Sequence, residues 1–103
     1  MLYFALFYEV VDDFVNKRAP FRGDHLRRVQ EAHDRDELLL AGALIEPADR
    51  ALLIFRGADR SLPENFARQD PYVTNGLVKH WHVRPWNQVI ATQPGEDAPV
   101  RHR

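Results

Sequence analysis

The first apolar block is continuous rather than alternating. Residues 2–8 read Leu-Tyr-Phe-Ala-Leu-Phe-Tyr, and only Glu9 interrupts the run before Val11. A run of this kind predicts a strand over residues 2–11 that is covered on both faces, ended by Asp12 and Asp13. The pattern then takes a helical period from about Ala19 to Glu37. Pro20 suits the first turn, where its missing N–H costs nothing. Gly23 weakens the start, so the regular part is expected from Asp24, a good N-cap. Leu26, Val29 and His33 share one stripe, with Arg22, His25 and Ala32 beside it. Arg27, Arg28, Glu31 and Asp34 form a solvated face.

Residues 38–45 (LLLAGALI) return to a strand pattern, with Gly42 marking a bulge or a close backbone approach. A turn over Glu46–Asp49 joins it as a hairpin to a third strand, residues 50–56 (RALLIFR), which Gly57 closes. Ser61 followed by Glu64 reads as a capping box, and the short helix after it ends near Gln69 because Pro71 biases Asp70 away from helix. DPYVTNG reads as a loop. Residues 77–85 alternate as a fourth strand: Leu77, Lys79, Trp81 and Val83 on one face, Val78, His80, His82 and Arg84 on the other. Residues 91–103 are polar, with Pro and Gly, and predict a fraying tail after a domain over residues 1–90.

The order strand, helix, strand, strand, helix, strand predicts an α+β fold of the ferredoxin-like type, with both helices on one face of a single sheet. The other face then lies bare, although the first and third strands are apolar on both sides. A second copy is the economical cover, giving a homodimer through the sheet face of the dimeric α/β barrel type.

Composition narrows the function classes. The chain has 103 residues and no cysteine, which excludes disulfides, thiolate metal sites and cysteine nucleophiles. A net charge of -1 from intermixed acids and bases gives no nucleic-acid surface. No apolar run approaches the ~20 residues of a membrane helix, so no membrane partner is expected. Residues 1–11 lack a basic flank, so no secretory signal is read there and a cytoplasmic location is expected by default.

Phosphate-binding Gly-rich loops, the G-x-S-x-G elbow and the H-E-x-x-H pair are all absent from the sequence. Histidines and acids remain, and each has a plain structural role available. His25 suits a helix packed at the sheet edge. His33 suits a helix C-terminus, Asp70 a turn before proline, and Ser61 a cap. His80 and His82 form a strand pair able to bind a metal, but no third ligand lies near, so no metal site is expected.

Two stretches shift this balance. RGDHLRRVQEAHDRDELLLAGAL (Arg22–Leu44), followed by DPYVTNGLVKHWHVRPWNQV (Asp70–Val89), resembles the YCII-related (YciI-like) family. The marks are an Arg-x-x-His-Leu helix start, an Ala-Gly after it, and an Asp-Pro-Tyr-x-x-x-Gly segment before the last strand. The resemblance runs from Met1-Leu2-Tyr3 to about residue 90. It implies a ferredoxin-like protein that dimerises sheet to sheet, and an enzyme in which a His and an Asp face one pocket. One type of member is a dehydrochlorinase of a chlorinated hydroxyhydroquinone. On this resemblance the catalytic pair is His25 and Asp70, with Arg22, Tyr72 and Gly76 binding substrate. Two departures stand out. Ala43 replaces the Pro that often follows Ala-Gly, and the Glu46–Asp49 turn is shorter than the loop of many relatives.

Such a pair performs general acid–base chemistry of the lyase or isomerase type on a small organic molecule, with no cofactor and no metal required. Arg22 would hold a carboxylate, phenolate or enolate. Two other readings remain open at this stage. One is a non-enzymatic dimeric module that binds a small ligand or a partner domain. The other is a haem- or metal-handling protein with His25 as axial ligand.

Overall fold

The structure, a computed structural model, describes residues 2–90. The expected tail, residues 91–103, lies outside the described residues. Strand β1 spans Leu2–Val10, β2 Leu38–Ala43, β3 Arg50–Gly57 and β4 Val78–Trp86. They form one sheet in the order β2-β3-β1-β4, antiparallel at every pairing. Helices α2 (Arg22–Asp34) and α3 (Ser61–Gln69) connect β1 to β2 and β3 to β4. Each connection skips over one strand, which is the split arrangement of the ferredoxin-like fold.

Period-two alternation decides the core. Phe4, Leu6, Tyr8 and Val10 of β1 face the helices beside Phe55, Leu53 and Ala51 of β3, and all pack with Phe66, Ala67 and Tyr72. At the centre of the opposite face Tyr3, Ala5 and Ile54 are buried. Leu40 at one edge and Trp86 at the other are 70% and 51% exposed.

The structure differs from the sequence reading in several local respects. Residues 12–21 are not a plain connection. Asp13 takes a left-handed φ of 60, α1 spans Phe14–Lys17, and a 3-10 turn covers Ala19–Phe21. The Phe14 ring, 3% exposed, is drawn into the core, and this anchor winds the flanking chain. Helix α2 therefore begins at Arg22 instead of being capped by Asp24, and Gly23 sits inside its first turn. The bulge in β2 falls between Leu38 and Leu40, while Gly42 pairs regularly with Leu52. It lets Leu38 and Ala41, an odd number of residues apart, both keep to the core side. A second register shift opposite Glu9 and Val10 makes Lys79 the extra residue of β4. Val78 consequently packs against the core instead of sharing a face with His80.

Ser61 is not an N-cap. It opens α3, and the Asp59 carboxylate accepts from its backbone N–H at 2.8 Å and from its hydroxyl. Those two hydrogen bonds hold the Asp59 carboxyl below the usual carboxylate range. The DPYVTNG segment is helical in part: α4 spans Pro71–Thr74, with Pro71 at its first position.

Candidate active site

Asp70 sits at the joint between α3 and α4, with extended backbone (φ -69, ψ 127). The following proline favours that conformation. The side chain turns back and accepts the Tyr72 N–H at 3.0 Å, capping α4. The carboxylate is fully buried, at 0% exposure. Burial of a charge is costly unless it is hydrogen-bonded, and here three donors converge on it. Tyr8 O–H donates to Oδ2 at 2.7 Å, the Tyr72 N–H to Oδ1, and His25 Nδ1 stands 2.9 Å from Oδ1 and 3.1 Å from Oδ2.

This arrangement fixes the histidine tautomer. Both carboxylate oxygens accept only, so Nδ1 carries the proton and Nε2 is the nitrogen left for chemistry. His25 lies in the first turn of α2, and its side chain is 12% exposed. Its ring stacks on Tyr72 (centroids 3.9 Å, 14° between planes), and Tyr72 meets Phe14 edge-on at 5.3 Å. The imidazole is thus held by one hydrogen-bonding partner and one flat ring. Burial, then the neighbouring Asp70 charge and hydrogen bond, push the Tyr8 phenol far above its usual range, so it stays a neutral donor. Burial also raises the Tyr72 phenol, against the opposing pull of the Arg18 and Arg22 charges.

A cavity of about 160 Å³ opens beside this cluster, between the start of α2 and strands β2 and β3. His25, Tyr8, Tyr72, Arg18 and Arg22 form its polar wall, and Leu26, Val29 and Leu53 its apolar one. The bare backbone of Gly42 contributes a side without a side chain. Chemically, this is a proton acceptor backed by a carboxylate, beside two guanidinium groups, over a surface that suits a flat molecule.

Residues 1–87 match the YCII-related domain. The chain belongs to this family. Two curated relatives, the YciI proteins of Escherichia coli O6:H1 and Shigella flexneri, are each 31% identical over 99 residues, covering 87% of this chain and all of theirs. Among solved structures, the 5-chloro-2-hydroxyhydroquinone dehydrochlorinase of Burkholderia phenoliruptrix, in complex with 2,5-dihydroxybenzoquinone, superposes with a TM-score of 0.70. It shares 15% identity and covers 82% of this chain and 93% of its own. An antibiotic biosynthesis monooxygenase superposes with a TM-score of 0.52 at 13% identity, covering 87% of this chain and all of its own. At these identities the likeness is one of fold.

Of the residues that the family resemblance singles out, His25 and Asp70 are in direct contact, and Arg22 and Tyr72 line the cavity next to them. Gly76 lies elsewhere. It has a left-handed φ of 77, where glycine meets no steric penalty, and ends α4 with its N–H donated to Val73 O. The other histidines stand apart. His33 Nδ1 bonds Leu38 O at 2.8 Å, tying the end of α2 to β2. His80 and His82 lie on the far side of the sheet, where His82 stacks on Phe7 at 4.9 Å. Among the described residues no group of three or more His, Asp or Glu side chains is placed to hold a metal. No helix among them is long and apolar enough to cross a membrane.

Sequence reasoning missed Tyr8, Phe14 and Arg18. Tyr8 had a usable signal, since it shares the parity of Leu6 and Val10 and so brings a hydroxyl to the core side of β1. Arg18 had none. It reaches the cavity only because the segment around it is wound up by the docking of Phe14.

Proposed function

We propose that the His25–Asp70 pair is a general acid–base centre that moves protons on a small organic substrate, in an elimination or isomerisation. One observation carries this reading. A fully buried carboxylate, hydrogen-bonded by donors from β1, α2 and α4, holds His25 Nδ1 at 2.9 Å, and the imidazole so held lines the cavity. A histidine that only packed against the sheet would need no such partner.

The chemistry follows from the parts. Nε2 takes a proton from an acidic C–H or O–H of the substrate, and the imidazolium that forms is balanced by the Asp70 carboxylate. The electron pair left behind either expels a leaving group, which gives a C=C bond from a C–H or a C=O bond from an O–H, or shifts along the substrate and recovers the proton at another atom. Arg22 offsets the charge that develops. Histidine, carboxylate and guanidinium suffice for such a step by themselves. The dehydrochlorinase with the same fold supports the choice of reaction class, since its reaction is an elimination.

The reading extends to assembly. We infer a homodimer in which a second copy covers the sheet face that carries Leu40 and Trp86, both well exposed in the single chain. The cytoplasm is the compartment this reading assigns.

The test is proton exchange and elimination from small acidic carbonyl and phenolic compounds in D2O, followed by NMR. His25→Gln and Asp70→Asn should each keep the folded circular-dichroism spectrum and lose about 10²–10⁴-fold in rate. The double variant should lose little more, because the two act as a unit. Full activity in His25→Gln would overturn the acid–base reading. Ligand uptake without turnover in the unsubstituted protein would leave a binding module instead.

A further inference from the structure

The cavity is lined by two cations and no acid. Arg18 and Arg22 border it, and neither pairs with a carboxylate among the described residues. Asp70, behind His25, does not line the cavity and has its oxygens occupied. A second observation points to the same wall. The Tyr72 hydroxyl is buried with no hydrogen-bond partner, on a residue only 3% exposed. The Arg22 guanidinium bears on that hydroxyl. Arginine can only donate, however, so the phenolic proton is without an acceptor whatever Arg22 does. Buried polar groups without a partner are rare enough to require a reason. Two arginines that pair with no carboxylate and a phenolic proton without an acceptor share one cavity, and what satisfies all three is an oxyanion.

Size and shape limit the rest of the ligand. The volume of about 160 Å³ is close to that of an apolar cavity of about 150 Å³ known to take up benzene. That is room for one six-membered ring. Leu26, Val29 and Leu53 offer the ring an apolar wall, and Gly42 keeps the opposite side clear.

We propose that the cavity binds a small planar organic monoanion, with a carboxylate or phenolate oxygen seated on Arg18, Arg22 and the Tyr72 hydroxyl. This names the substrate class of the acid–base site and rests on that reading only for which molecules are turned over. With the oxyanion so seated, the ring lies along the apolar wall and its reacting edge meets His25.

Benzoate and 4-nitrophenolate serve as probes, with benzamide and benzylamine as neutral and cationic controls, titrated calorimetrically into the full chain. Benzoate, 4-nitrophenolate or both should bind at least about tenfold more tightly than benzamide, as expected for charge-assisted hydrogen bonds, and benzylamine should not bind. Arg18→Gln and Arg22→Gln should each weaken the bound anion about tenfold or more. Tyr72→Phe should weaken it several-fold while leaving the Tm of the ligand-free protein unchanged or raised, because it deletes a hydroxyl that has no partner. That combination is not expected of a residue that merely packs. Where an arginine variant lowers stability, the salt dependence on the unsubstituted protein decides, since charge-driven binding weakens as ionic strength rises. Equal affinity for benzoate, 4-nitrophenolate and benzamide would overturn the proposal. So would a drop in ligand-free Tm for Tyr72→Phe with anion affinity intact. His25→Gln separates the two readings. If it keeps anion binding and full turnover, the acid–base reading fails and the anion seat stands. If turnover needs His25 but anions bind no better than benzamide, the seat fails alone.

Discussion

At the residue scale, Asp70 is held by donors from β1, α2 and α4, and the donor from β1, Tyr8, carries a pH signature. Its phenol stays protonated in the folded state far above the ordinary value of about 10. In the unfolded chain it ionises near that value. Above pH ~10 the folded state therefore holds the extra proton, and stability falls as pH rises; below it Tyr8 adds no pH dependence. One such group contributes a slope of about 1.4 kcal/mol per pH unit. Tyr8→Phe should remove that slope from urea-unfolding free energies measured between pH 9 and 11. At neutral pH it should cost about 1.5–3 kcal/mol, the worth of a hydrogen bond to a charged acceptor. An alkaline limb identical in the two proteins would show that another group governs it.

At the element scale, the short helix α1 matters more than its four residues suggest. Phe14 is its anchor, buried edge-on against Tyr72, and Arg18 follows one turn later, its guanidinium 5.4 Å from the Phe14 ring. Phe14→Ala should cost about 3–5 kcal/mol of stability, as for other buried aromatics. It should also loosen the Arg18 side of the cavity, so that anion binding weakens beyond what the stability loss explains. Thermal unfolding and titration of the same variant read the two effects. Unchanged binding in a destabilised Phe14→Ala protein would show that α1 is only a plug. Helix α4 works by the opposite route. It needs no distant anchor, because Pro71, the Asp70 cap and the left-handed Gly76 are all local signals.

At the scale of the whole molecule, the split fold explains how the pair meets. The start of α2 and the end of α3 come to the same end of the sheet, although His25 and Asp70 are 45 residues apart. The helices use one face of the sheet, which leaves the other for the proposed partner copy. Sedimentation at micromolar concentration should give about twice the chain mass of 12.0 kDa. Leu40→Lys should shift it toward one chain mass, since a charge at an exposed apolar edge opposes association without touching the core. A single-chain mass for the unsubstituted protein would remove the sheet-to-sheet arrangement.

The order of the four strands and the two long helices and the bend at Asp70-Pro71 were readable in the sequence, because each is a local matter. An unbroken apolar run marks β1 as a strand with apolar cover on both faces, and proline restricts the residue before it. The family resemblance added which histidine and which aspartate to watch. Neither source contained the Tyr8 hydrogen bond, the winding of residues 14–21, or the bulges that move Leu39 and Lys79 out of register. Those depend on what lies across the sheet or against the next element. A phenol on a strand has no preferred partner until a buried carboxylate is brought to it. A polar segment with one aromatic has no helical period until that ring finds a core. The site therefore exists only in three dimensions: its residues were present in the sequence and the Tyr72 cap is local, but packing alone brought Tyr8 and His25 to Asp70 and set Tyr72 and the two arginines around one cavity.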